Sequence, residues 1–249
     1  MSTIAKQFSE QEWQVRVDLA AAYRLVALFG WDDLVFTHIS ARVPGPEHHF
    51  LINPYGLLFE EITASSLVKV GLDGHKVGDS EQLVNPAGFT IHSAVHESRE
   101  DAQCVLHLHT RDGVAVSSQQ EGLLPLNQTS MLLNAGLAYH EYEGIALNHD
   151  ERPRLVNDLG NCNAMLLWNH GTLTVGATVA EAFTTMYFLE TACSIQIAAQ
   201  AGNQLRIPGD DVQKLVAQQA TAMGGQVANH LVWPALKRRL ERQLPGYDS

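Results

Sequence analysis

The chain has 249 residues, enough for one large or two small domains and for burial of about three quarters of the surface that an unfolded chain exposes. Sixteen Lys and Arg against 27 Asp and Glu leave a net charge of −11, so the cationic surplus on which nucleic-acid binders depend is missing. With 45% hydrophobic and 17% charged residues the composition is globular, and no apolar run reaches the roughly 18 residues of a membrane span.

The opening Met1-Ser2-Thr3-Ile4-Ala5-Lys6-Gln7 lacks the apolar core of a signal peptide, which points to a cytoplasmic protein. Ser9-Glu10-Gln11-Glu12 is a capping box, in which the Ser9 hydroxyl accepts from the Glu12 N–H while the Glu12 carboxylate reaches back. Trp13, Val17, Ala20, Ala21, Leu25 and Leu28 then recur at helical spacing, predicting an amphipathic helix that packs on a sheet and ends at Gly30. Strands are expected over residues 34–43, 50–53 and 67–72, and Asp73-Gly74 should turn the third back into Lys76-Val77. Residues 87–100 read as a helix, 103–109 and 163–169 as strands, and 173–175 as a short return after Gly171. Two helical patterns close the chain, 179–201 and 210–242, with Pro208-Gly209 between them and Pro234 as a kink or break. Nothing resembling a linker or a repeat divides the sequence. Residues 1–249 therefore read as one α/β domain, a core of about 12–202 followed by C-terminal helices over 203–245, with a largely antiparallel central sheet. Cys104, Cys162 and Cys193 lack the spacing of a disulfide framework or a thiolate metal site and read as buried structural thiols.

The positions of the twelve histidines carry the chemistry. In Val105-Leu106-His107-Leu108-His109 the two imidazoles share one face of a strand, while Cys104, Leu106 and Leu108 share the other. A catalytic zinc site uses three protein ligands and an open position, and His170 in Trp168-Asn169-His170-Gly171 offers the third. Spacing alone leaves a second reading open, a pair of hydrogen-bonded structural histidines.

Longer motifs go further. Gly30-Trp31, Thr37-His38-Ile39-Ser40, Phe50-Leu51-Ile52-Asn53-Pro54-Tyr55-Gly56, the stretch from Glu61 to Lys69, Ala87-Gly88-Phe89-Thr90-Ile91-His92, His107-Leu108-His109-Thr110, Tyr139-His140-Glu141-Tyr142 and Asn169-His170-Gly171 resemble the class II aldolase/adducin family over residues 12–202. The match is closest to the adducin-like branch, as a stand-alone domain of bacterial type. The resemblance implies a three-layer α/β/α sandwich and a divalent metal, Zn with Mn and Fe as alternatives, held by His107, His109 and His170. It also implies Lewis-acid chemistry on a small-molecule substrate and a homotetramer with sites at subunit boundaries.

This sequence departs from the aldolases of that family at several places. Gly88 stands where they carry an acidic base, leaving His140 or Glu141 to fill in; His92 shares the helix face of Gly88 and reads as structural. The tyrosine that donates a proton falls near Thr129, with Tyr139 or Tyr142 as substitutes. The phosphate-binding loops align with Thr37-His38, Tyr55-Gly56 and Asn85-Pro86 and are poorer in donors. A carboxylate or another small anion therefore suits better than a phosphate, with His38, Ser40, Asn53, Gly56 and Arg111 to orient it. His48, His49, His75, His96, His149 and His230 read as exposed. The leading reading is a metal-dependent lyase, aldolase- or decarboxylase-like, acting on a small hydroxy- or oxo-acid or sugar-derived substrate. The alternatives are a non-catalytic adducin-like interaction module and a non-haem iron oxygenase on the same three histidines.

Overall fold

The computed structural model describes residues 7–145, 148–202, 204–223 and 225–249; the polar opening as far as Lys6 lies outside them. Helix α1, Glu10–Phe29, begins on Ser9, whose hydroxyl accepts from the Glu12 N–H. The Glu12 carboxylate does not reach back, being held by Arg16 and Lys69 at 2.9 and 2.6 Å. The helix ends on Gly30, with φ of 69°, a left-handed cap that only glycine adopts without strain.

Among the described residues seven strands follow in one sheet: β1 His38–Arg42, β2 Phe50–Ile52, β3 Val68–Val70, β4 Cys104–Leu108, β5 Leu137–His140, β6 Ala164–Leu167 and β7 Gly171–Gly176. Their spatial order is β3-β2-β1-β4-β7-β6-β5. Every neighbouring pair is antiparallel except β5 and β6. The sheet is thus largely antiparallel, as expected. The remaining helices are α2 Pro86–Ser98, α3 Arg111–Ser117, α4 Gln128–Asn134, α5 Arg152–Leu159, α6 Val179–Gln200, α7 Asp210–Met223 and α8 Trp233–Gln243.

Period-two alternation along the strands separates two cores. Ile39, Ala41, Leu51, Cys104, Leu106 and Leu108 pack under α1, α6 and α8. Val105, Met165, Leu167, Leu173 and Val175 pack on the other side, beneath α2 and α5. The result is the expected helix, sheet, helix sandwich.

The first strand is shorter than residues 34–43, because Leu34 and Thr37 take φ of 51° and 63° and leave extended backbone only from His38 onward. Lys76 makes a single bridge to Val70 rather than a return strand. Pro234 coincides with a break in helical regularity, since a π-helical turn over Ala228–Val232 runs directly into α8 and Pro234 lies in the first turn of that helix. Cys104 and Cys193 are buried and Cys162 is half-buried.

Candidate metal centre

Three histidines converge at one end of β4. The alternation that sends Leu106 and Leu108 under α1 sends His107 to the opposite face, and His109 follows just past the strand end. The turn between β6 and β7 supplies His170. Its left-handed residue is Asn169, with φ of 56°, a conformation asparagine tolerates. Gly171 serves a different purpose from the free turning its type suggests: a Cβ there would lie 2.4 Å from the Leu108 carbonyl oxygen and 3.1 Å from His109 Cδ2. Only glycine lets the turn seat His170 against the other two.

One ring nitrogen from each of His107, His109 and His170 lies within 4.8 Å of the others. The hydrogen bonds decide which atoms face inward. His107 Nδ1 is 3.0 Å from the Thr172 carbonyl oxygen and His109 Nδ1 is 3.1 Å from Asp33 Oδ2. Both partners only accept, so each Nδ1 carries the hydrogen and each Nε2 presents a lone pair. Those two Nε2 atoms are 3.0 Å apart, a juxtaposition that needs a cation or a proton between them. Burial, followed by the neighbouring imidazoles, holds His107 well below the ordinary histidine range; burial, then His109 and His140, lowers His170 to about 4. His107 and His170 are thus held neutral near pH 7, as metal ligation requires, and the inward Nε2 atoms of His107 and His109 fit a divalent ion in the manner of metal-binding histidines anchored by carbonyl and carboxylate.

The centre opens into a cavity of about 490 Å³ whose walls include Asp33, Thr37, His38, Tyr55, Tyr142 and Ile145. Neither lysine nor arginine is among the described residues that line it. Thr37, β-branched and at positive φ, is strained there, and its buried hydroxyl has no hydrogen-bond partner.

Behind this wall runs a buried chain of polar groups. His38, in register with His107, contacts its ring at 5.2 Å between centroids. His38 Nδ1 is 2.8 Å from His92 Nε2, His92 Nδ1 is 2.5 Å from Ser40 Oγ, Ser40 Oγ is 2.7 Å from His96 Nε2, and His96 Nδ1 is 3.0 Å from the Ala102 carbonyl. His96 is therefore fully buried rather than exposed; it closes a chain that starts at the cavity. The place of Gly88 is also accounted for. A Cβ on it would lie 2.6 Å from His38 Cδ2 and 2.8 Å from Cγ, so the imidazole occupies the space a side chain would take.

Of the other residues singled out in the sequence, the structure brings His38 and Tyr142 to the cavity, the Tyr142 ring 6.0 Å from that of His170, together with Thr37, Tyr55, Asn85 and Pro86 of the aligned loops. His140 is buried with Nδ1 2.7 Å from Asp158 and Nε2 3.3 Å from Glu151, so both its nitrogens are committed elsewhere. The Tyr139 hydroxyl accepts from the Leu123 N–H, and its ring stacks on Trp168. Glu141 is exposed at a shallow depression beside Ser117 and Asn169. Ser40 lies inside the buried chain, and Asn53 accepts from the Tyr23 hydroxyl. Gly56 is exposed beside the wall residue Tyr55. Arg111 borders a separate depression with Trp31 and Glu190. Sequence reasoning missed Asp33 and the Thr172 carbonyl, whose only signal was that a ligand histidine needs an anchor.

The comparisons with known proteins agree with this architecture. The family model of the Class II Aldolase and Adducin N-terminal domain matches residues 17–197. A putative aldolase class 2 protein of Caulobacter vibrioides is 58% identical over 245 residues, covering 96% of this chain and 93% of that protein. Alpha-adducin of Mus musculus is 45% identical over 197 residues, 78% of this chain but 27% of the longer protein. Among solved structures, L-fuculose 1-phosphate aldolase from Glaciozyma antarctica superimposes with a TM-score of 0.83 at 28% identity, covering 98% of this chain and 95% of the other. The chain belongs to the class II aldolase and adducin N-terminal domain family.

Proposed function

We propose that this protein is a divalent-metal-dependent lyase for a small hydroxy- or oxo-acid or a sugar-derived substrate, with His107, His109 and His170 as the ligands. The observation that carries the reading is the pair of Nε2 lone pairs facing each other at 3.0 Å with His170 alongside. A bound divalent ion supplies Lewis-acid stabilisation of negative charge developing on substrate oxygens. The Thr172 carbonyl and Asp33 fix the His107 and His109 rings, and Tyr55, Tyr142 and Ile145 line the cavity. The want of lysine and arginine in the wall weighs more against a doubly charged phosphate ester than against a singly charged carboxylate or a neutral hydroxy compound, since both anions ordinarily draw cationic side chains. Zinc suits three imidazoles best, with manganese and iron as alternatives; iron would open the oxygenase reading.

The likeness to alpha-adducin supports a second reading, an interaction module without catalysis. Metal content separates the two. Plasma mass spectrometry on untagged protein is expected to find near-stoichiometric metal, lost in the His107→Ala/His109→Ala variant. No metal in either protein would overturn the lyase reading and favour the module. We extend the proposal to a cytoplasmic homotetramer, supported by the family resemblance and by exposed apolar side chains at Leu34, Phe36, Tyr187 and Ile195; sedimentation as a monomer would refute it.

A further inference from the structure

The buried polar chain behind the cavity has a direction. Its far end is the Ala102 carbonyl, which only accepts, so His96 Nδ1 must carry a hydrogen and His96 Nε2 must accept. Ser40 then donates to His96 Nε2 and accepts from His92 Nδ1. His92 Nε2 is left as an acceptor for His38 Nδ1–H. With all three rings neutral no other arrangement satisfies every contact, and burial lowers His96 to about 3 and His92 well below its ordinary value. His38 Nε2 is thereby left without a hydrogen. No hydrogen bond ties this nitrogen to another described residue, while His38 itself walls the cavity. Immediately before it, the hydroxyl of Thr37, a residue 2% exposed, has no partner.

We propose that His38 Nε2 forms a subsite beside the three-histidine centre that accepts a hydrogen bond from a substrate hydroxyl, its acceptor character being set by the chain through His92, Ser40 and His96 to the Ala102 carbonyl. This rests on the proposed lyase reading and deepens it. The substrate class narrows to compounds with a free hydroxyl close to the oxygen that faces the metal, and ethers of the same shape are excluded. Three histidines share the Nδ1–H form, the less populated tautomer of free neutral histidine, so the arrangement is a product of the fold and not of chance.

The test begins on the metal-free full chain. Nitrogen–proton correlation spectra of the imidazoles are expected to show Nδ1–H for His38, His92 and His96. In Ser40→Ala, His92 loses its acceptor and turns to Nε2–H, which reverses His38; Ser40→Thr, which keeps the hydroxyl, is expected to restore the wild-type pattern. The zinc-loaded protein is then titrated with glycolate and with methoxyacetate, whose ether oxygen cannot donate. Wild type is expected to prefer glycolate about tenfold more than Ser40→Ala does, the weight of one hydrogen bond. An Nε2–H form of His38 in the wild type, or the same preference in both zinc-loaded proteins, would overturn the inference. Failure to take up zinc would instead count against the lyase reading, and the tautomers would still decide this one.

Discussion

Gly88→Ala is a substitution whose sign depends on whether His38 fills the space beside it. Gly88 lies inside α2, and alanine at a helical glycine ordinarily gains about 1 kcal/mol. Here the new Cβ would lie 2.6 and 2.8 Å from His38 Cδ2 and Cγ, about an ångström inside ordinary carbon contact. The ring cannot tip away without breaking the 2.8 Å bond to His92. Overpacking of about 2 kcal/mol and a buried hydrogen bond of about 1 kcal/mol exceed the propensity gain. The net loss is about 2 kcal/mol, or a Tm lower by about 4–8 °C for a chain of this size. Urea unfolding of the metal-free protein at neutral pH, with Gly88→Ala made in wild type and in His38→Ala, reads the effect as a cycle. In the second background the space is free, and the alanine is expected to be neutral or stabilising. The same sign and size in both backgrounds would refute the claim that the imidazole occupies the side-chain space of residue 88.

Two further outcomes follow from the same geometry. Asp33→Ala removes the carboxylate that holds the hydrogen on His109 Nδ1 and is expected to weaken zinc binding by about 10- to 100-fold, read by competition with a chromophoric chelator, while the fold's urea midpoint stays put. Burial raises Glu190 to about 7, with a further push from Asp112, against bonds from Thr110 and Thr172 that lower it. Because the folded value lies above the unfolded one, the stabilisation from its proton is complete below about pH 4.5 and is lost as pH rises through 7. Glu190→Gln is therefore expected to gain on wild type by about 3 kcal/mol between pH 5 and pH 9, and parallel stability profiles for the two proteins would contradict it.

The sequence made some of this legible because short-range rules governed it. The alternation of Val105 to His109 gave the faces of β4 correctly, since a period of two admits only one assignment once Leu106 and Leu108 are in the core. Ser9 and Gly30 bounded α1 because capping is a local matter of one hydroxyl and one positive φ. Helices α3, α4 and α5 escaped notice because seven or eight residues are too few for a helical period to emerge. Strand β5 was missed because four residues are too few to show an alternation, and its sheet partner among the described residues is the distant β6, in parallel register.

The site divides along the same line. His107, His109 and His170 could be named from motif and resemblance, but what makes them a centre is the anchoring of two Nδ1 atoms by Thr172 and Asp33, contacts that span 65 and 76 residues. The departures at Gly88 and His38 looked like two separate losses when taken one at a time. Together they are one exchange, in which a side chain is surrendered on α2 and an imidazole from β1 moves into its place. The cost of that exchange is a buried histidine that must stay neutral and oriented, and the chain from His92 to Ala102 meets it by giving each buried nitrogen a partner. Had the chain ended on a donor instead of a carbonyl, the same residues would leave His38 Nε2 protonated, and the cavity would favour acceptor oxygens over hydroxyls. The chemistry offered to a ligand beside the metal centre is thus decided at Ala102, a residue whose side chain has no part in it.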